Sequence, residues 1–142
     1  MLQVKHLLHE KGSQVYSVAP DEPVLTAITT MADRFIGALL VMRGDELVGM
    51  LSERDYARKV ILKGRSSRET PVREIMTAPV VTVAPEDTVE TCMRLCTDSR
   101  VRHLPVCEDG RVVGLVSIGD LVKAVIDEQS EQIEQLQRYI AG

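Results

Sequence analysis

Shifted against itself by 65 positions, the chain lays VYSVAPDEPVLTAITTMADRFIGALLVMRGDELVGMLSERDYARKVI over VVTVAPEDTVETCMRLCTDSRVRHLPVCEDGRVVGLVSIGDLVKAVI without a gap. Val18, Ala19 and Pro20 fall on Val83, Ala84 and Pro85, Gly49 falls on Gly114, and Ser52 and Asp55 fall on Ser117 and Asp120. Apolar positions meet apolar positions almost throughout, so the two halves repeat the same buried faces. A duplication of this kind constrains the fold more than any single motif. A unit of about 47 residues seldom stabilises itself, so the two copies are expected to pack sheet to sheet about a pseudo-twofold axis as one folding module.

Each copy reads β-α-β-β-α, which makes the fold class α+β. A short β segment (Val15 to Val18, or Val80 to Val83) leads through a Pro-containing turn to a helix. Its apolar residues recur at helical spacing, as Val24, Ala27, Ile28 and Met31 or as Val89, Cys92, Met93 and Cys96. Asp21 and Glu86 stand near the helix starts, where a carboxylate meets the positive end of the dipole. Two strands follow, ALLVM and LVGML in the first copy, HLPVC and VVGLV in the second, with Gly44 and Gly110 in the turns. A second helix then opens at the Ser-x-x-Asp, and Gly64 marks its end in the first copy. The expected organisation is an N-terminal helix over 1–12, the first repeat over 13–63, a surface linker over 64–76, the second repeat over 77–127, and a C-terminal helix over 128–142 with Ile133, Leu136 and Ile140 on one face.

Composition narrows the function. A formal net charge of -4, with acids and bases interspersed, supplies no basic stripe for a phosphate backbone, so nucleic acid is not an expected partner. No apolar run reaches the roughly 18 residues of a membrane span, and the opening MLQVKHLLHEKG lacks a signal peptide's features. The expectation is a cytoplasmic protein without membrane association, whose three cysteines are reduced thiols and not a disulfide framework.

The repeated unit, MTAPVVTVAPEDTV opening the second copy, RVRHLPVCEDGRVVGLVSIGDLVKAVI completing it and GMLSERDYARKVI completing the first together resemble a tandem CBS-domain pair, or Bateman module. The likeness covers essentially the whole chain and is nearest to the small stand-alone bacterial CBS-pair proteins. It implies one nucleotide site per repeat, in which the Asp of each Ser-x-x-Asp holds ribose, the Ser lies near phosphate, and the base enters an apolar slot beside the repeat's first strand. Carried over, it implies Ser17, Val18, Gly37, Ala38, Leu39, Ser52 and Asp55 around one site, and Thr82, Val83, Val101, Arg102, His103, Leu104, Pro105, Ser117 and Asp120 around the other. The chemistry is coherent: a carboxylate accepts from both vicinal hydroxyls, and a helix start welcomes an anion. The same Ser-x-x-Asp also reads as a capping box that merely starts a helix.

The two sites should differ. Arg102 and His103 stand where the first copy has Gly37 and Ala38, so the second should bind anions better; the first has Arg54 and Arg58, with Glu53 opposing, and Arg65 and Ser66 as further candidates. Cys92, Cys96 and Cys107 align with Ala27, Met31 and Met42 and read as core, while His6 and His9 read as solvated, so no metal is expected. The resemblance implies a regulatory binder of an adenine nucleotide (AMP, ADP, ATP or NAD(H), with S-adenosyl compounds also in the family's range) that is not an enzyme. It would form a homodimer and signal to a separate effector protein. The alternatives are a structural dimerisation domain with vestigial sites and, further off, a nucleotide-processing enzyme.

Overall fold

A computed structural model describes residues 1–141. The chain forms two compact units, one built mainly from residues 14–80 and the other mainly from 1–13 and 81–141. In the first, β1 (Ser17–Val18) pairs in parallel with β2 (Ala38–Arg43), and β2 pairs antiparallel with β3 (Glu46–Ser52). The hairpin turns at Gly44, whose φ of 62° lies in the left-handed region that glycine enters without strain. Between β1 and β2 runs α2 (Val24–Arg34), whose Val24, Ala27 and Met31 are buried against Val18, Leu39, Val41 and Leu51. In the second unit α4 (Val89–Ser99) buries Val89, Cys92 and Cys96 against the hairpin of β4 (His103–Glu108) and β5 (Arg111–Ser117). Here the first strand shrinks to one parallel bridge, Val83 with Val106, the counterpart of Val18 beside Val41.

Three expectations need correction. The stretch 64–76 lies continuously at the surface only over 64–69, which are exposed but for half-buried Ser67. Thr70, Val72 and Ile75 are buried, and the carbonyls of Thr70 and Ser67 accept from Val24 N and Leu25 N at 2.9 Å each, satisfying first-turn donors that Pro23 cannot cap. Arg65 is held in an ion pair with Glu74. The second helix of the first repeat is not a regular α-helix up to Gly64: after one turn, α3 (Glu53–Tyr56), it widens to a π-helical turn over Ala57–Ile61. Finally, 128–142 is not a separate helix. One unbroken 24-residue helix, α5 (Ile118–Ala141), runs from the Ser-x-x-Asp onward, and only Gly142 lies outside the described residues. Ile133, Leu136 and Ile140 are indeed exposed on it, at 54%, 61% and 82%.

Asp21 and Glu86 do not carry the turns before α2 and α4. Their neighbours do: Glu22 Oε1 accepts from Ala19 N at 3.2 Å and Asp87 Oδ2 from Ala84 N at 2.7 Å, while Asp21 pairs with Arg73 at 2.7 Å.

The repeat extends further than one register reveals. The N-terminal helix α1 (Val4–Lys11) packs on the second repeat, and the segment 71–76 packs on the first, through matching contacts. Val4 N donates to Asp87 O and Val72 N to Glu22 O, each at 2.9 Å; Lys5 N donates to Pro85 O and Arg73 N to Pro20 O. Gln3 bridges Thr88 as Pro71 bridges Pro23. Leu8 then covers Gly114 as Met76 covers Gly49, so closely that a Cβ on either glycine would stand 2.6 Å or 2.5 Å from the covering side chain. At both positions a larger residue would force the covering Met76 or Leu8 side chain to shift, because that neighbour occupies the space of a Cβ.

Candidate functional site

In each repeat the Ser-x-x-Asp stands where the hairpin's last strand passes into the following helix. The two Ser-x-x-Asp sequences are capping boxes. Asp55 N donates to Ser52 Oγ at 3.1 Å and Ser52 N to Asp55 Oδ2 at 3.0 Å; Asp120 N donates to Ser117 Oγ at 3.2 Å and Ser117 N to Asp120 Oδ2 at 2.8 Å. The turns before β2 and β4 dock on the same helix starts. Glu53 N donates to Gly37 O at 3.0 Å, and Ile118 N donates to Arg102 O at 2.9 Å. Both turns are set by a left-handed residue closing the preceding helix, Phe35 and Arg100 at φ 55°. These bonds bring Gly37 beside Ser52 and Asp55, and Arg102 beside Ser117 and Asp120. They also engage two first-turn N–H groups of each helix internally, which narrows the room for an anion there.

The other candidates sort by burial. Val18, Ala38, Leu39, Val83 and Leu104 are core residues and Pro105 is buried, so their side chains are not presented at the surface. Ser17 and Thr82 are exposed beside them, with Ser17 opposite Leu40 and Val83 N bonded to Pro105 O at 3.0 Å. Arg54, Arg58 and Arg102 are exposed, and Val101 and His103 half-buried. Ser66 caps its own turn, its Oγ accepting from Glu69 N.

Three residues at these carboxylates escaped sequence reasoning. Around Asp55 stand Thr77, whose Oγ1 lies 3.2 Å from Oδ1, and Lys59, whose Nζ lies 3.2 Å from the same oxygen and 3.0 Å from Ile75 O. Around Asp120 stands Lys11, with Nζ 2.6 Å from Oδ2 and 2.8 Å from Leu115 O. Burial pushes the Asp120 carboxyl upward, but the hydrogen bonds from Lys11 and Ser117 and the lysine's charge outweigh it and hold it below its ordinary range. The i,i+4 spacing of Asp55 and Lys59 was a usable signal. Lys11 gave none, because its role depends on where α1 packs.

The surroundings of the thiols disfavour the thiolate. Burial, then the charge of Asp87, pushes Cys92 up to about 11, and burial raises Cys96 and Cys107 as well. His6 Nδ1 accepts from Gln3 N at 3.0 Å, closing the start of α1. Among the described residues no group of three or more His, Cys, Asp or Glu is placed to hold a metal, and no helix is long and apolar enough to cross a membrane.

Comparison with known proteins gives the same account of the duplication. The CBS domain family matches twice, over residues 5–62 and 72–127. A mitochondrial CBS domain-containing protein of Arabidopsis thaliana, CBSX3, is 45% identical over 127 residues, covering 86% of this chain, which spans 62% of that relative's length. A protein with CBS domains from Burkholderia ambifaria MC40-6 is 50% identical with a TM-score of 0.86, covering 89% of this chain and 96% of that one. A CBS domain pair crystallised with 5-methylthioadenosine and S-adenosyl-L-methionine is 22% identical with a TM-score of 0.80, covering 90% and 98% of the two chains, a likeness of fold alone.

Proposed function

The chain belongs to the CBS-domain family, and from that premise we propose that it is a regulatory module that binds an adenine nucleotide, AMP, ADP, ATP or NAD(H), at Asp55 and Asp120. The observation that carries this reading is the recurrence, in both repeats, of one constellation. A carboxylate is held at a helix start by its own serine, and the docked turn that would face a phosphate sits beside it. The carboxylate suits a ribose diol, and Arg102 and His103 suit phosphate in the second repeat. The ligands of the 22% identical neighbour, both adenosyl compounds, point the same way. We read the module as non-enzymatic: Cys92 and Cys96 are packed in the core, and burial raises these thiols and that of half-buried Cys107. The exposed strip Ile133, Leu136 and Ile140 supports a homodimer, and a separate effector protein would read the bound state. Reduced thiols suit the cytoplasmic setting expected from the sequence.

A second reading, a dimerisation domain with vestigial sites, draws on the lysine that each carboxylate already carries. Calorimetric titration with AMP and NAD separates the two. Asp120→Ala should weaken binding about ten- to a hundredfold, Asp55→Ala less, and the double variant should nearly abolish it. Unchanged titrations in a folded double variant would leave both sequences as capping boxes only.

A further inference from the structure

The two units satisfy one strand carbonyl by different means. In the first, the chain just beyond Met76 makes a single antiparallel bridge with β3, and Thr77 N donates to Met50 O at 2.8 Å. In the second, the chain beyond Leu8 is helical, and the equivalent carbonyl, Leu115 O, is met instead by the Lys11 side chain at 2.8 Å. The same ammonium continues to Asp120 Oδ2, 2.6 Å away. Lys11 closes α1, with Gly12 N bonded back to Leu8 O at 2.8 Å before the chain turns away at a φ of 92°.

We propose that Lys11 is an internal ligand of the second site: it occupies the Asp120 carboxylate in the empty protein, and a ribose diol binding there displaces it and releases the end of α1. This rests on the reading of Asp120 as a ribose acceptor. Oδ2 accepts from Ser117 N and from Lys11. Its two lone pairs are therefore spent, while a diol that grips a carboxylate through both oxygens needs one of them back. The capping bond belongs to the helix start; the lysine is the partner that can leave.

The consequence differs between the repeats. Lys59 lies one turn from Asp55 on the same helix, and its Nζ also donates to Ile75 O at 3.0 Å, a partner it can keep when the carboxylate is taken. Lys11 belongs to a different element, so ligand and helix end compete for one carboxylate. Their coupling is reciprocal: whatever loosens α1 favours the ligand, and the ligand loosens α1.

Adenosine is the probe, because it carries the diol without a phosphate. With the full chain, Lys11→Met should bind adenosine about two- to fivefold more tightly than wild type, as expected when a partly exposed ion pair no longer competes. Lys11→Arg, which keeps the cation, should stay near wild type. Hydrogen exchange of the amides over residues 4–12 should speed up when wild type takes adenosine and should already be fast, and indifferent to adenosine, in Lys11→Met. Exchange elsewhere in the chain reports that the variant is folded. 2′-Deoxyadenosine should produce neither effect. Equal or weaker adenosine binding by folded Lys11→Met overturns the proposal, as does a loss confined to AMP, which would make Lys11 a phosphate contact. Failure of the underlying reading looks different: wild type, Lys11→Met and Asp120→Ala would then titrate alike with adenosine and AMP, and both ideas would fall together.

Discussion

Asp55 and Asp120 come from the same repeated phrase and sit in the same capping box, yet they keep different company. Asp55 is enclosed by local groups: Lys59 from the adjoining turn and Thr77 from the segment that follows the seat of Met76. Asp120 is held by Lys11, more than a hundred residues away in sequence, at the end of a helix whose counterpart in the other unit is a short turn over Val72–Glu74. The duplication therefore dictates what is local to the repeat, the serine, the carboxylate and the docked turn. The surroundings that decide whether each carboxylate is free come from segments where the copies diverge.

The comparison breaks most visibly at the two seats. Val4 and Val72 are both fully buried, at 0% exposure, and their amides make equivalent bonds. If α1 is as integral to its unit as residues 71–76 are to theirs, Val4→Ala and Val72→Ala should each cost about 2 to 3 kcal/mol, the lost transfer energy of two methyl-sized groups plus a cavity. Denaturant unfolding measures both. A loss at Val72 with none at Val4 would show that α1 is an ornament, and the reciprocity would fail.

These seats also mark where the sequence stopped being legible. The hairpins and the helices α2 and α4 were readable because their signals are local: apolar periodicity, a glycine at each turn, and an ungapped register between copies. The seats were not, since Gln3 to Leu8 match Pro71 to Met76 in a register offset from that of the repeats, and the Ser and Arg content of the exposed stretch 64–69 masks the buried residues that follow it. Thr70 O and Ser67 O cap α2 through main chain, which no residue type announces. Within the site, Ser52, Asp55, Ser117 and Asp120 were legible as a repeated phrase. Lys11 was not, because only tertiary packing brings it to Asp120. The continuity of α5 was missed for a simpler reason: neither Gly nor Pro interrupts 120–141, and the division at 128 was drawn from the end of the repeat instead.

A smaller effect sharpens the comparison at the serines. Ser52→Ala and Ser117→Ala should each cost about 1 kcal/mol, the usual worth of a helix cap. Ser52 should be the costlier of the two, because its hydroxyl also donates to Asp55 Oδ2 at 3.0 Å. Thermal unfolding of the two variants side by side tests this. A cap that proved worthless in one copy would mean that the two phrases share a spelling but not a structural role.

The smallest effect concerns acid. The Asp120 carboxyl lies below its ordinary value of 3.8 in the folded protein: burial acts to raise it, and the partners Lys11 and Ser117 lower it by more. A carboxyl depressed on folding binds fewer protons in the native state than in the unfolded one, so stability rises with pH across that interval. Its contribution is fully present above the ordinary value and is lost as pH falls through the lower native one. Asp120→Asn keeps an acceptor for the capping box but removes the charge. The stability gap between wild type and Asp120→Asn should thus be widest near neutrality, at most about 1 kcal/mol for a partly exposed pair, and should close below pH 3.8. Chemical unfolding at stepped pH measures the gap. Lys11→Met should lift the Asp120 carboxyl back toward its ordinary value in an NMR titration, moving the closing point upward. A gap that ignores pH would mean that the lysine contact contributes nothing to the folded state, and Asp120 would then be as available to a ligand as its capping box allows.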